Sequence, residues 1–280
     1  MPRTKLRAVS RKRLPDLKNY LDEINQKVEV ADYVADDPVS FMHAFDEKKD
    51  QEIAGFLAAT MAWGRRDIVI NKVDDFLKRI DYQPHGFISS ANLEAEFERF
   101  RGFKHRTFKP VDMLWLSKGI QQIYHHYDDL EEFFRMVLFK ANNQPRYIFH
   151  HFHDAFFELI PEAPLRTRKH VANSANNSSC KRLWLYLKWS VRKNSPIDTG
   201  IYTFISEKDL VIPLDTHVAR QSRRIGLLTR TYNDWKAVEE LQTRLEIMNP
   251  QDPAKYDFAL FGLGALGHEL PTSFNLNKVE

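Results

Sequence analysis

Apolar residues return every third or fourth position along most of this chain, a period that admits helices and little else. Ile53, Phe56, Leu57 and Thr60 mark one such face, and Val69, Val73, Phe76, Leu77 and Ile80 another. Leu183, Trp184, Leu187 and Val191 mark a third. No long segment alternates like a half-buried strand, and only 10 of the 280 residues are glycine. The expected fold is therefore all-α. At 43% hydrophobic and 12% aromatic, the chain can bury a substantial core.

The same spacing, read with its stop signals, predicts helices over 16–30, 39–45, 51–61, 111–127, 130–140, 144–159 and 181–192. Trp63-Gly64-Arg65-Arg66 reads as a break, with Asp67 capping the next helix. Ser206 and Asp209 suggest a short capped turn. Asp215, following Pro213, reads as the N-cap of a helix closed by Gly226. A helix through Trp235, Val238, Leu241 and Leu245 ends at Asn249-Pro250, and a last apolar one runs over 256–263 and stops at Gly264. Residues 1–15, with six basic side chains among the first 13, read as a flexible basic arm. Residues 16–280 read as one helical domain.

Several classes are set aside. No stretch reaches the roughly 20 apolar residues of a membrane span, and no secretory signal is visible. Cys180 is the single cysteine, which rules out an internal disulfide or a four-cysteine cluster and fits a reducing cytoplasm. His150 and Asp154 lie one helical turn apart, but the sequence supplies no further ligands, so no metal and no cofactor is expected. A phosphate-cradling glycine loop and a nucleophile elbow are both missing.

Net charge is only +3, yet from Ala163 to Ile197 there are eight Lys or Arg and no Asp or Glu. Asn177, Ser178 and Ser179 add hydrogen-bond donors, and Trp184 and Trp189 interleave. Most isolated basic runs are simply solvated. Here the donors, aromatics and absence of carboxylates favour a polyanion. On a helical wheel Lys181, Lys188 and Arg192 project the same way.

The run Pro213-Leu214-Asp215-Thr216-His217-Val218-Ala219-Arg220, with Arg223-Arg224-Ile225-Gly226 behind it, resembles the segment that follows the hairpin in helix-hairpin-helix DNA glycosylases. Residues 53–59 and 69–72 resemble that family's early core helices, and 256–264 the helix after its aspartate. The order Lys181, Lys188, Asp215 is similar to that of the archaeal 8-oxoguanine glycosylase branch. The whole chain, including Phe103-Lys104-His105-Arg106-Thr107-Phe108, resembles an uncharacterised bacterial family of conserved hypothetical proteins, the domain of unknown function 2400. The sequence departs from the better-known glycosylases in lacking the Gly-x-Gly hairpin turn and the iron–sulfur cysteines, and in placing Thr60 near where some relatives carry a stack-filling Gln.

The glycosylase resemblance implies two helical lobes around a central cleft, with a hairpin-like segment over about 165–226. It also implies a DNA repair N-glycosylase with lyase activity, excising an oxidised purine such as 8-oxoguanine. Lys181 would be the nucleophile, its ammonium proton shed more readily through burial and the nearby cations Arg182 and Lys188. Asp215 would stabilise the sugar cation. Asn177, Ser178, Ser179, Arg182, Lys188, Arg220, Arg223 and Arg224 would contact DNA, His217 would support Asp215, and Thr60, Trp63 or Trp184 would line the base pocket. The expected partner is double-stranded DNA carrying a damaged base, bound by a monomer in the nucleoid. A non-catalytic DNA- or RNA-binding protein and a monofunctional enzyme using Asp215 alone remain open alternatives.

Overall fold

In the computed structural model, residues 6–278 are described. They are almost entirely helical, and among them no β-strand forms. In chain order the helices are α1 (Leu14–Val28), α2 (Ser40–His43), α3 (Lys48–Met61), α4 (Arg66–Arg79) and α5 (Pro84–Ser90). After these come α6 (Pro110–His126), α7 (Leu130–Lys140), α8 (Pro145–Glu158), α9 (Leu165–Arg168) and α10 (Lys181–Val191). The chain ends with α11 (Thr216–Arg224), α12 (Trp235–Met248) and α13 (Tyr256–Ala265).

Proline and carboxylate signals set most of the starts. Pro15, Pro84, Pro110 and Pro145 each occupy a first turn, where a missing N–H costs nothing. Asp129, Asp215 and Asp234 cap α7, α11 and α12 through N–H bonds from Glu132, Val218 and Ala237 at 2.8, 2.8 and 3.1 Å. Asp67 does not do this: α4 begins one residue earlier, and the Asp67 carboxylate pairs with exposed Arg65 at 2.7 Å.

Helix α3 is buried on nearly every side and packs against α2, α4 and α10. A Cβ at Gly55 would lie 2.6 Å from Met42 Sδ, so glycine sets how closely α2 approaches. Phe134 stacks on Phe152 at 4.7 Å, and Phe56 meets Tyr186 edge-on at 5.6 Å. Helix α13 packs against both α1 and α11.

The basic arm behaves differently from expectation over its described part. Val9 is buried and its N–H bonds Gly226 O at 2.9 Å, while Arg7 N–H bonds Asn277 Oδ1 at 2.8 Å. The arm is thus docked from Arg7 onward. Residues 1–5 lie outside the described residues. No helix among the described residues is long and apolar enough to cross a membrane.

Candidate active site

The segment before α10 is fixed by polar contacts as well as by the burial of Val171, Ser174 and Cys180. Asn177 and Cys180 both take left-handed backbone conformations, φ 58° and 48°. Asn177 Nδ2 donates to Asp234 Oδ2 at 3.0 Å, and its carbonyl accepts from Trp235 N at 3.0 Å. The loop is thereby tied to the start of α12. Ser178 Oγ accepts from Cys180 N at 3.2 Å, and no side chain caps α10 itself. Its positive end opens on a groove of about 480 Å³ lined by Arg168, Lys169, Asn176, Ser178, Ser179, Lys181 and Arg182.

Lys181 also lines a second, larger cleft of about 790 Å³. Asp215 and His217, from the start of α11, are on its wall. So are the aromatic rings of Tyr33, Trp63, Trp189 and Phe261, the carboxylates of Asp37 and Asp257, and Arg65, Arg66 and Arg106. The lysine and aspartate singled out in the sequence therefore share one cleft, each half-buried. They form no ion pair with each other. Asp215 Oδ1 accepts the Val218 N–H at 2.8 Å, which fixes the carboxylate at the helix start. His217 is held by close packing: a Cβ at Gly264 would come within 2.9 Å of it.

Asp257 sits in the first turn of α13, 13% exposed, with its Oδ2 3.4 Å from Lys188 Nζ. Burial pushes its carboxyl up to about 6; Lys188 opposes the rise, and Asp215 and Asp198 add to it. Arg182 lies over the Trp63 ring at 4.6 Å and donates to the carbonyls of Thr60 and His170. Burial lowers its guanidinium to about 10. Burial also pushes the Cys180 thiol up to about 12, which leaves it unreactive.

Several expected DNA contacts are instead structural. Lys188 has no exposed surface and lies 3.4 Å from both Asp198 and Asp257, with its amine over Phe258. It can neither reach a phosphate nor act as an unbalanced cation beside Lys181. Arg223 is buried, donating to Arg230 O at 2.7 Å and Asn233 Oδ1 at 2.6 Å. The Asn177 amide is taken by Asp234, and Arg224 donates to Gln221 at 3.0 Å. Arg220 is exposed but, like Arg224, lines neither the cleft nor the groove. Ser178, Ser179 and Arg182 do line the groove.

Of the pocket candidates, only Trp63 reaches the cleft. Trp184 is fully buried edge-on to Phe149 at 4.8 Å, and buried Thr60 contributes its carbonyl to Arg182. His150 and His153 approach Asp154 at 3.4 and 3.1 Å, but among the described residues no group of three or more ligating side chains gathers.

Comparison with known families decides the membership. The family model described as protein of unknown function (DUF2400) matches residues 37–266. The chain belongs to this family. No curated protein and no solved structure matches it. The matched span begins at Asp37, one of the cleft carboxylates, and contains every cleft residue but Tyr33.

Sequence reasoning missed Tyr33, Asp37, Arg66, Arg106, Asp257 and Phe261. One signal was available: Asp257 is the only charged residue from Tyr256 to Ala265, and Phe261 follows it by one helical turn. A lone carboxylate in an apolar helix needs a reason. The others come from loops or helix ends whose meeting point no local pattern encodes.

Proposed function

We propose that this protein is a DNA repair glycosylase with associated lyase activity, built as a helix-hairpin-helix-like fold whose lobes flank the cleft. The observation that carries the reading is the position of Lys181, which among the described residues is the one side chain common to the basic groove and the aromatic cleft. The groove suits a phosphate backbone, because Arg168, Lys169 and Lys181 line it beside an uncapped helix start. The cleft suits a flat base taken out of the duplex, because four aromatic rings and a few polar groups line it.

In this reading the Lys181 amine attacks the anomeric carbon of the extruded nucleotide. The new N–C bond forms as the glycosidic C–N bond breaks, and the base leaves with that electron pair and picks up a proton. Asp215 stabilises the positive charge that develops on the sugar, as carboxylates do in glycoside hydrolysis. Ring opening gives a Schiff base, and loss of a proton from the adjacent carbon expels the 3′ phosphate. Asp257, on the cleft wall with a raised affinity for protons, would give the departing base its proton in this reading.

The test is borohydride trapping on duplexes that each carry one damaged base, with oxidised purines first. A covalent adduct, absent in Lys181→Gln, is the expected result. Base release without an adduct would reassign the chemistry to Asp215 and water. Binding without release from any lesion would leave a nucleic-acid-binding protein.

A further inference from the structure

Arg66 is half-committed. Its Nη2 donates to the Tyr33 hydroxyl at 2.6 Å and lies 3.2 Å from Asp37 Oδ2. The guanidinium carbon sits 4.8 Å from the Tyr33 ring centre and 4.7 Å from that of Phe261. Asp37 is itself fixed by the Val39 N–H at 3.1 Å. These contacts hold the group on one side and along its face. Its Nε–H and Nη1 protons take no acceptor among the described residues, and the side chain keeps 27% exposure on the cleft wall. A planar donor whose orientation is set by an aromatic pair and a carboxylate, with N–H groups left over, is built to meet an acceptor that is not part of the protein.

We propose that Arg66 reads the extruded base, donating to a carbonyl oxygen on the edge that faces it. This rests on the glycosylase reading and narrows its substrate to bases that carry an acceptor there. A guanidinium stays protonated and cannot accept, so an amino group in the same position would set donor against donor. The discrimination comes from the unpaired donors that the wrong base would leave.

The test uses the full chain carrying Lys181→Gln, to hold turnover, and fluorescence anisotropy on duplexes that differ at one nucleotide. The pairs are 8-oxohypoxanthine against 8-oxoadenine and uracil against cytosine, each exchanging a carbonyl for an amino group. The carbonyl member of at least one pair should bind about tenfold tighter. Adding Arg66→Ala should reduce that ratio to about twofold or less. Tyr33→Phe, which keeps the ring and removes the anchoring hydroxyl, should lower it severalfold and carries the test if Arg66→Ala does not fold. An absent preference, or one unchanged in a folded variant, overturns the role of Arg66 while an abasic-site duplex is still selected over an intact one. If no damaged or abasic duplex is selected over an intact one, the glycosylase reading fails and the base-reading role with it.

Discussion

Lys188 and Asp257 meet at 3.4 Å, the amine with no exposed surface and the carboxylate still 13% open to the cleft. The Lys188 charge is shared with Asp198 at the same distance. Helix α10 thus carries two lysines two turns apart with opposite duties. Lys181 is presented to the cleft, and Lys188 is a counter-ion that lets two carboxylates be buried. Arg192, one turn further, repeats the second pattern with Glu29 at 2.7 Å and Asp252 at 2.9 Å, and also pairs with Asp198.

Removing the Lys188 amine should therefore damage the fold. Lys188→Met leaves Asp198 and Asp257 facing each other without their shared cation, and breaking a buried pair costs about 3–5 kcal/mol. Urea denaturation should show a loss of that order. Under conditions where the variant is folded, the salt dependence of its duplex binding should match the parent, since no phosphate contact has been deleted. A shallower salt slope would show that Lys188 reaches DNA after all.

The groove residues should behave in the opposite way. Lys169 is exposed and Arg168 lies over Phe157 at 4.9 Å, and among the described residues neither is paired with a carboxylate. Lys169→Gln is expected to leave the melting temperature within about a degree or two, because exposed substitutions change stability little. Its log Kd against log salt slope should fall by about one if the side chain neutralises a phosphate. Arg168→Gln should lower the slope similarly and cost some stability through the lost ring contact. Unchanged slopes in both would remove the groove as a backbone track.

Most helices were legible from apolar period and stop signals: α7 matches 130–140 at both ends, and α6 and α8 match to within one residue. Helices α5 and α9 went unread, because seven and four residues carry little apolar period. Lys181 and Asp215 were legible because one opens a helix and the other caps one, beside a recognisable run. What local pattern could not supply was the pairing of charges across the chain. The acid-free stretch over 163–197 looked uniformly available to a polyanion. Yet Arg166 is held by Asp112 at 2.7 Å, and Lys188 and Arg192 by carboxylates from just after α1, from the loop after α10 and from around α13. The absence of acids within a segment says nothing about acids folded onto it. The cleft's loop residues were invisible for the same reason.

Gly64 should be hard to replace. Its φ is +106°, and a Cβ would lie 2.5 Å from Arg106 Nη1 at the cleft wall. Arg106 is itself held at φ 53°. Gly64→Ala is expected to cost about 1–3 kcal/mol in backbone strain and to displace the Arg106 guanidinium from the cleft. Gly102→Ala is the comparison: its φ is +75° but the added methyl meets open space. Both should lower the melting temperature, and only Gly64→Ala should also weaken binding of damaged duplex. Equal binding by the two variants would mean that Arg106 plays no part at the cleft.

The pH dependence of stability should carry the signature of Glu52. This side chain has no exposed surface, and Oε2 accepts from the Tyr124 hydroxyl at 2.7 Å and from Leu130 N at 3.2 Å. Burial raises its carboxyl from 4.5 to about 7, with Tyr124 and Lys48 opposing the rise and Asp129 adding to it. Between those two values the folded protein holds a proton that the unfolded chain has released. The contribution to stability is therefore full below pH 4.5 and is lost as pH rises through 7. Its size is on the order of 3 kcal/mol, from about 1.4 kcal/mol for each pH unit of displacement. Glu52→Gln keeps the shape and both acceptor contacts but cannot ionise. Carboxylates with lowered affinity for protons, such as Asp112 beside Arg166, impose the reverse trend in acid and are common to both proteins. The informative quantity is thus the difference between variant and parent. Melting temperatures measured from pH 4.5 to 8 should show Glu52→Gln gaining on the parent as pH rises and levelling off above 7. Parallel curves across that range would mean that Glu52 is ionised in the folded protein and that Lys48, 3.8 Å away, fully offsets its burial.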